Sequence, residues 1–146
     1  MIGVIIPAYN CRETLDRTLS SLGAQTDKNF KVYLVDDCSK EPLEDIVEKF
    51  KGTINIKYIK KEKNEGCGMA RQTGIDACEE EYFTFLDSDD VLMPYTIALF
   101  NSYSSRNPNC NLFRTYLLIE TNNSMNRSEK GFWYDLFGLL WKNSLY

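Results

Sequence analysis

The amino-acid sequence predicts an α/β fold with a mainly parallel central sheet. Short apolar segments alternate with segments of helical periodicity, which is the order of the strand-helix units that build such a sheet. Ile2–Ile6 and Tyr82–Leu86 are almost continuously apolar, as expected of strands that are buried on both faces. With 146 residues and 43% hydrophobic content, the chain is long enough for one domain with a substantial core, residues 1–146.

Five strands are predicted from apolar segments that stop at polar or turn-forming residues. Pro7 is expected to end the first strand because it has no N–H to donate. The predicted strands are Ile2–Ile6, Phe30–Val35, Ile54–Ile59, Tyr82–Leu86 and Leu112–Ile119. The polar segment Thr121–Lys130 is predicted to be a loop. The aromatic segment Gly131–Tyr146 is predicted to form a helix that covers the sheet, with a partner-binding surface as the alternative.

Four helices are predicted from apolar residues spaced three or four apart. Pro42 and Pro94 stand at the start of the second and fourth helices, where a missing N–H costs nothing. The third helix follows the glycine-containing turn Asn64–Gly68, and the fourth ends near Tyr103. The apolar positions of the first three helices are Leu15, Leu19 and Leu22; Leu43, Ile46, Val47 and Phe50; and Met69, Ala70, Ile75 and Ala77.

Composition argues against several classes of function. Seventeen basic residues are spread among 21 acidic ones, for a net charge of -4, so general nucleic-acid binding is not expected. The five cysteines have no C-x-x-C spacing and the chain has no histidine, which argues against a zinc finger. No segment resembles a signal peptide or approaches the roughly 20 apolar residues of a membrane span. We therefore expect a cytoplasmic protein, with peripheral attachment at the inner face of the membrane as an alternative.

Polar side chains follow three of the predicted strands. Tyr9 and Asn10 come after the first strand, Asp36 and Asp37 after the second, and Asp87–Asp89 after the fourth. Ligands of parallel α/β sheets bind beyond the carboxyl ends of the strands, where these residues gather. The sequence therefore predicts one ligand site at that edge.

The segment Asp87-Ser88-Asp89-Asp90 resembles a divalent metal site. Crowded carboxylates repel one another unless a cation neutralises them, and Mg²⁺ or Mn²⁺ prefers such oxygen ligands. The alternative is a solvated acidic turn before the helix that Pro94 opens.

Four motifs together carry a resemblance to a known family. They are Ile5-Ile6-Pro7-Ala8-Tyr9-Asn10, Val35-Asp36-Asp37-Cys38-Ser39, the segment from Asn64 to Ile75 with its Ala70-Arg71-Gln72-Thr73-Gly74-Ile75, and Leu86-Asp87-Ser88-Asp89-Asp90. Their order and approximate spacing resemble family 2 glycosyltransferases over roughly residues 1–105. The resemblance implies the GT-A fold, a Rossmann-like three-layer sandwich that binds a nucleotide diphosphate sugar.

The resemblance implies which residues meet the nucleoside. Pro7, Ala8 and Tyr9 would line the base pocket, with the Tyr9 ring stacked on uracil; the alternative for Tyr9 is a ring that packs on the first helix. Asp37 would accept a hydrogen bond from the base imide, and Asp36 would support the loop or the ribose. The Asp-Asp-x-Ser turn is equally typical of a helix cap.

Further residues are implied for the diphosphate and the metal. Arg71 would reach the nucleotide, because a guanidinium presents several donors in a planar fork. Asp89 would ligate the metal, Asp87 would face the ribose or the metal's water shell, and Ser88 between them counts among the nucleotide-binding residues. The run Lys60, Lys61 and Lys63 is interpreted as a solvated surface with no role.

An inverting member of this family needs a general base, usually an acidic residue well downstream of the metal motif. Glu129 and Asp135 are candidates, although neither lies in a family motif. We expect residues 1–105 to be the nucleotide-sugar-binding part and residues 106–146 a shortened acceptor-side part that ends before the usual base. A second chain in a homo-oligomer is an alternative source of the missing part.

Three hypotheses of function follow. The first is a metal-dependent, inverting glycosyltransferase that uses a UDP-sugar donor and a saccharide, lipid or protein acceptor. The second is a module of the same fold that binds a nucleotide sugar but lacks the general base. The third is a phosphoacceptor signalling domain built on Asp36, Asp37 and Asp87, although that class normally places its paired acids after the first strand.

Overall fold

The computed structural model describes residues 1–115 and 138–142. Strands and helices alternate over most of this range: β1 (Ile2–Ala8), α1 (Arg12–Gly23), β2 (Phe30–Asp36), α2 (Glu44–Phe50), β3 (Ile56–Lys60), α3 (Cys67–Ala77), β4 (Tyr82–Phe85), α4 (Thr96–Arg106), β5 (Leu112–Thr115) and β6 (Gly138–Lys142). All four predicted helices are present. None of the helices in this range is both long and apolar enough to cross a membrane.

The described strands form one sheet in the order β3-β2-β1-β4-β6-β5. Strands β1 to β4 run parallel, with β2 and β3 on one side of β1 and β4 on the other. The direction of the chain across the sheet therefore reverses between β1 and β4. In open parallel sheets such a switch point opens the crevice in which ligands bind.

Alternate residues of β1 face two different helical layers. Val4, Ile6 and Ala8 belong to the larger core cluster, together with apolar residues of α1, α2 and α4. Ile5 belongs to a smaller cluster on the other face, together with Ile75 of α3. Both faces of β1 are thus covered, which explains why its sequence is apolar without the alternation of a half-exposed strand.

Pro7 does not end the first strand as the sequence predicted, because β1 continues to Ala8 and Pro7 is in register with Val35. The carbonyl of Ile5 accepts a hydrogen bond from the N–H of Leu86, so the backbone polar groups of Ile5 are directed toward β4. The backbone of Pro7, two residues on, has the same direction. β4 stops at Phe85. Pro7 therefore lies beyond the end of β4, and its lack of an N–H costs no hydrogen bond of the sheet.

Other predicted bounds also differ from the structure: α4, for example, continues to Arg106 instead of ending near Tyr103. β3 begins at Ile56 instead of Ile54, because the N–H of Ile54 bonds to the carbonyl of Phe50 and closes the end of α2. The predicted carboxyl-terminal helix is wrong at Gly138–Lys142, which is strand β6 and pairs antiparallel with β4. That pairing satisfies backbone groups that β4 would otherwise leave unpaired at an edge. The Thr121–Lys130 loop lies outside the described residues.

Gly74 lets α3 approach the sheet closely. A Cβ atom added at Gly74 would lie 2.3 Å from Cγ2 of Ile5 in β1, far inside van der Waals contact. α3 also carries Arg71, one of the predicted nucleotide-binding residues. The glycine therefore sets the distance between Arg71 and the sheet.

We expect Gly74→Ala to lower the free energy of unfolding by about 1–3 kcal/mol, the usual range for an overpacked core. Gly68→Ala is the matched control, because Gly68 lies in the same helix with no atom within 4 Å of an added Cβ. That control should be neutral or stabilising, since alanine favours a helix over glycine. Urea unfolding of both variants measures the difference, and equal stabilities would contradict the close contact between Gly74 and Ile5.

Candidate functional site

The predicted site residues converge at the carboxyl edge of the sheet, around the switch point between β1 and β4. The loops after β1 and β2 are tied together, because Asn10 accepts a hydrogen bond from the N–H of Lys40 and its own N–H donates to Oγ of Ser39. The N–H of Asp37 donates to the carbonyl of Ala8 over 2.8 Å. The prediction that three polar segments share one edge is confirmed.

Asp36 is fully buried and supports the loop that follows β2. Its carboxylate accepts hydrogen bonds from the N–H of Ser39 and from the hydroxyl of Tyr58, each over 2.8 Å. Burial and the hydrogen bond to Asp36 raise the pKa of Tyr58. The helix-cap alternative is wrong, because α2 begins after Leu43 without a side-chain cap.

Asp37 is also buried, and its carboxylate holds the turn that leads into α3. Oδ2 accepts the N–H of Gly66 over 2.7 Å, both oxygens lie within hydrogen-bonding distance of the N–H of Glu65, and Oδ1 pairs with Nζ of Lys61 over 2.6 Å. Burial alone would raise the pKa of Asp37, but the Lys61 ammonium and the two backbone donors outweigh it, so the pKa is lowered. Gly66 adopts a φ of 87°, a conformation that favours glycine.

Lys61 has a role that the sequence interpretation missed. Its side chain is only 10% exposed, whereas that of Lys63 in the same run is 75% exposed. The ammonium of Lys61 pairs with both Asp37 and Glu65. The interpretation of the run as a solvated surface is therefore wrong for Lys61, because a buried carboxylate needs a cation close to it.

The residues predicted to line the base pocket differ in exposure. Pro7 and Ala8 are buried within β1, and Ala8 belongs to the larger core cluster. Tyr9 is 46% exposed, which leaves much of its ring open at the edge of the sheet. Of the three, Tyr9 presents the largest surface to a ligand.

Arg71 and Asp87 form an ion pair across the switch point. Nη2 of Arg71 lies 2.6 Å from Oδ1 of Asp87, and both side chains are partly exposed. The guanidinium also lies over the ring of Phe85, 5.5 Å from its centroid. Nε of Arg71 is buried and makes no hydrogen bond within the described residues. The pair places one cation and one carboxylate of the predicted site side by side.

The acidic turn beyond β4 carries three carboxylates. Desolvation, together with the neighbouring charges of Asp89 and Asp87, raises the pKa of Asp90. Asp89 is exposed. In the described part of the chain, no group of three or more Cys, Asp or Glu side chains is arranged to hold a metal ion unaided. Mg²⁺ commonly binds to one or two carboxylates and completes its shell with water and substrate phosphates, and Asp87 and Asp89 suit that mode.

Several polar residues of α1 were not singled out from the sequence, yet they hold the segment after β4. Thr18 donates to the carbonyl of Ser88 over 2.9 Å, and Arg17 donates to the carbonyl of Asp89 over 2.6 Å. Thr18 is fully buried. A polar residue at a buried helix position must find a partner, which is the signal that could have identified Thr18.

Glu129 and Asp135, the predicted candidates for the general base, lie outside the described residues. A cleft of about 640 Å³ in the described part of the chain lies elsewhere. Lys31, Glu79 and Tyr82 contribute to its lining, at the opposite edge of the sheet from Asp87. It contains none of the predicted site residues. We therefore assign the candidate site to the carboxyl edge of the sheet, from the chemistry of the residues there.

We expect Lys61→Met to lower the free energy of unfolding at pH 7, because it leaves the buried Asp37 carboxylate without its cation. The pKa of Asp37 is lowered in the folded state, so its stabilisation is present above the ordinary value of 3.8 and is lost as pH falls through the folded value. The difference between variant and wild type should therefore shrink below about pH 4. Denaturant unfolding from pH 3 to pH 7 tests this, with exposed Lys63→Met as the control. A deficit of Lys61→Met that did not change with pH would contradict the ion pair.

Comparisons with known proteins agree with this architecture. An uncharacterized glycosyltransferase of Haemophilus influenzae is 35% identical over 111 residues, which cover 76% of this chain and 37% of that protein. The Escherichia coli protein UDP-Glc:alpha-D-GlcNAc-diphosphoundecaprenol beta-1,3-glucosyltransferase WfaP is 37% identical over 98 residues, or 67% of this chain and 39% of that one. The chain thus spans less than two-fifths of the length of either relative.

A solved structure matches the fold. The crystal structure of Staphylococcus aureus TarS 1-349 in complex with UDP-GlcNAc superposes with a TM-score of 0.72 and 29% identity over 89% of this chain and 37% of that chain. This likeness confirms the predicted GT-A fold class. The model of the family described as Glycosyl transferase family 2 matches residues 3–144. The chain therefore belongs to glycosyl transferase family 2.

Proposed function

We propose that this chain supplies the donor site of a glycosyltransferase that binds a uridine diphosphate sugar together with Mn²⁺ or Mg²⁺. The observation that carries the proposal is the composition of the carboxyl edge. An exposed aromatic ring (Tyr9), a cation with an unused donor (Arg71) and an exposed carboxylate (Asp89) lie around one switch point. These groups suit the base, the diphosphate and the metal of a nucleotide sugar.

The nucleoside would bind next to Tyr9. A half-exposed ring can stack on a base, because every base has a flat π face. Asp37 would accept the base imide only as one more partner of a carboxylate that already binds Lys61, Glu65 and Gly66. Its lowered pKa keeps it ionised as an acceptor. Uridine is supported by the S. aureus TarS complex with UDP-GlcNAc and by the UDP-Glc in the name of WfaP.

The diphosphate would bind between Arg71 and the acidic turn. Nε of Arg71 lacks an acceptor within the described residues, and a phosphate oxygen is a strong acceptor for a guanidinium. The ion pair with Asp87 holds the guanidinium at this position. Asp89 and Asp87 would hold the metal, which when bound neutralises the charge that develops on the departing nucleoside diphosphate.

Transfer with inversion would be a single displacement: the acceptor hydroxyl oxygen bonds to the anomeric carbon as the bond to the nucleoside diphosphate breaks, and an acidic side chain takes the hydroxyl proton. Asp135 and Glu129 remain the candidates within this sequence. A saccharide, a lipid and a protein are the three classes of acceptor that this proposal allows. Assays of donor hydrolysis and sugar transfer test this part. Donor binding without either reaction would favour a nucleotide-sugar-binding module that lacks its general base.

Calorimetric titration with UDP, GDP and CDP, first with Mn²⁺ and then with chelator, tests the donor site directly. We expect UDP to bind more tightly than the other two and to lose affinity when the metal is removed. Absence of binding by every nucleotide under both conditions would overturn the proposal.

Asp89→Asn should abolish the metal-dependent part of UDP binding while the fold remains intact, because an amide is a much weaker ligand for Mg²⁺ than a carboxylate. Glu13→Gln is the control, since it removes one exposed negative charge from the first turn of α1. Circular dichroism and titration of both variants give the result. Unchanged UDP affinity of Asp89→Asn in Mn²⁺ would refute the metal assignment.

Tyr9→Ala should weaken UDP binding by about tenfold or more, because base-aromatic stacking is worth ~1–3 kcal/mol. Tyr9→Phe keeps the ring and should bind like the wild type. Tyr95→Ala removes another exposed tyrosine and should have no effect. A phenylalanine variant as weak as the alanine variant would point to the hydroxyl instead of stacking.

A further inference from the structure

One face of α1 forms a row of polar contacts with the segment that follows β4. This row, which we call the α1 seam, consists of Arg17, Thr18 and Ser21 of α1 and of Gln25, which lies two residues beyond the end of the helix. All four contact main-chain atoms of residues 88–97 through their side chains. The seam therefore acts on the path of the backbone, whatever side chains that segment carries.

At the acidic end, the seam holds two consecutive carbonyl groups. Oγ1 of Thr18 donates to the carbonyl of Ser88 over 2.9 Å, and Nη2 of Arg17 donates to the carbonyl of Asp89 over 2.6 Å. Thr18 is fully buried, so water cannot replace its hydroxyl. The two contacts fix the peptide units on either side of the Asp89 Cα atom.

At the far end, the seam fixes the route from the acidic turn to α4. Oγ of Ser21 accepts the N–H of Leu92 over 3.1 Å. The Gln25 side chain donates to the carbonyl of Met93 over 2.8 Å and accepts the N–H of Ile97 over 3.1 Å. Both ends of the segment are thus anchored to α1 and the residue just beyond its carboxyl end.

The two metal-site carboxylates are oriented by different elements. Asp87 is held through its side chain by Arg71 of α3, which packs on one face of the sheet. Within the described residues, Asp89 is held through its backbone by Arg17 of α1, which packs on the other face. The geometry of the acidic turn therefore depends on α1 as well as on α3.

We propose that Thr18 and Arg17 are positioning residues that hold the backbone of Ser88 and Asp89 in the conformation required for metal-dependent nucleotide binding. This inference rests on the proposed donor site. Neither residue is placed against the nucleotide or the metal; each acts through the direction of the Asp89 side chain. A seam that served only stability would instead weaken all binding equally, or none.

Thr18→Val tests the inference, because valine keeps the shape of the side chain and removes the hydroxyl. We expect UDP affinity in Mn²⁺ to fall about tenfold, as for the loss of a hydrogen bond to a buried carbonyl, with affinity in chelator unchanged. Thr18→Ser restores the hydroxyl and should restore affinity. Thr14→Val is the control, since the Thr14 hydroxyl bonds to the Cys11 carbonyl at the start of the same helix.

Amide hydrogen exchange provides a second measurement. In Thr18→Val the amides of Asp90 and Leu92 should exchange faster than in the wild type, while amides of β1 remain protected. If Thr18→Val does not fold, Arg17→Gln replaces an exposed side chain and is expected to give the same selective loss in Mn²⁺.

The outcomes separate the two proposals. Wild-type protein that binds no nucleotide would overturn the proposed function and this inference together. Metal-dependent binding by the wild type, with equal affinity in Thr18→Val or an equal loss in Mn²⁺ and in chelator, would overturn the inference alone. A selective loss in Mn²⁺ that serine restores would establish the positioning role.

Discussion

The pairing of β1 with β2 on one side and β4 on the other determines where the predicted site residues that follow these three strands lie. Because all three strands run parallel, the loops that follow them emerge at one edge of the sheet. The strand order reverses there, and the crevice between the loops after β1 and β4 is left open. The apolar sequence of β1 is the consequence of this central position, since helices cover both of its faces.

The carboxylates at this edge fall into two groups that differ in how their negative charge is compensated. Asp36 and Asp37 are buried, and donors from the same chain satisfy their oxygens. Asp89 is exposed, and Asp87 has one cationic partner. The first group stabilises the loops, because removing a buried charge from water is tolerated only with such compensation. The second group retains capacity for a cation, which is why the acidic turn and not the Asp36-Asp37 pair is the metal candidate.

Sequence patterns predicted what depends on local periodicity and chain direction. The four helices and the shared edge of Tyr9, Asp36 and Asp87 were confirmed. The position of β6 beside β4 was missed, because an antiparallel return from a distant segment leaves no local signal. Lys61 was missed for a related reason: its partner Asp37 lies on another strand end, and only the tertiary structure separates it from the solvated Lys63.

The α1 seam was not predicted, although the sequence contains an indication of it. Thr18 fits the spacing of Leu15, Leu19 and Leu22, so the helical period assigns it to the buried face, and Gln25 is buried just beyond the end of the helix. A buried threonine and a buried glutamine must find hydrogen-bond partners inside the protein. Their partners are main-chain groups of the segment after β4, which an apolar helix face could not have held. Helix α1 therefore both covers the sheet and shapes the acidic turn.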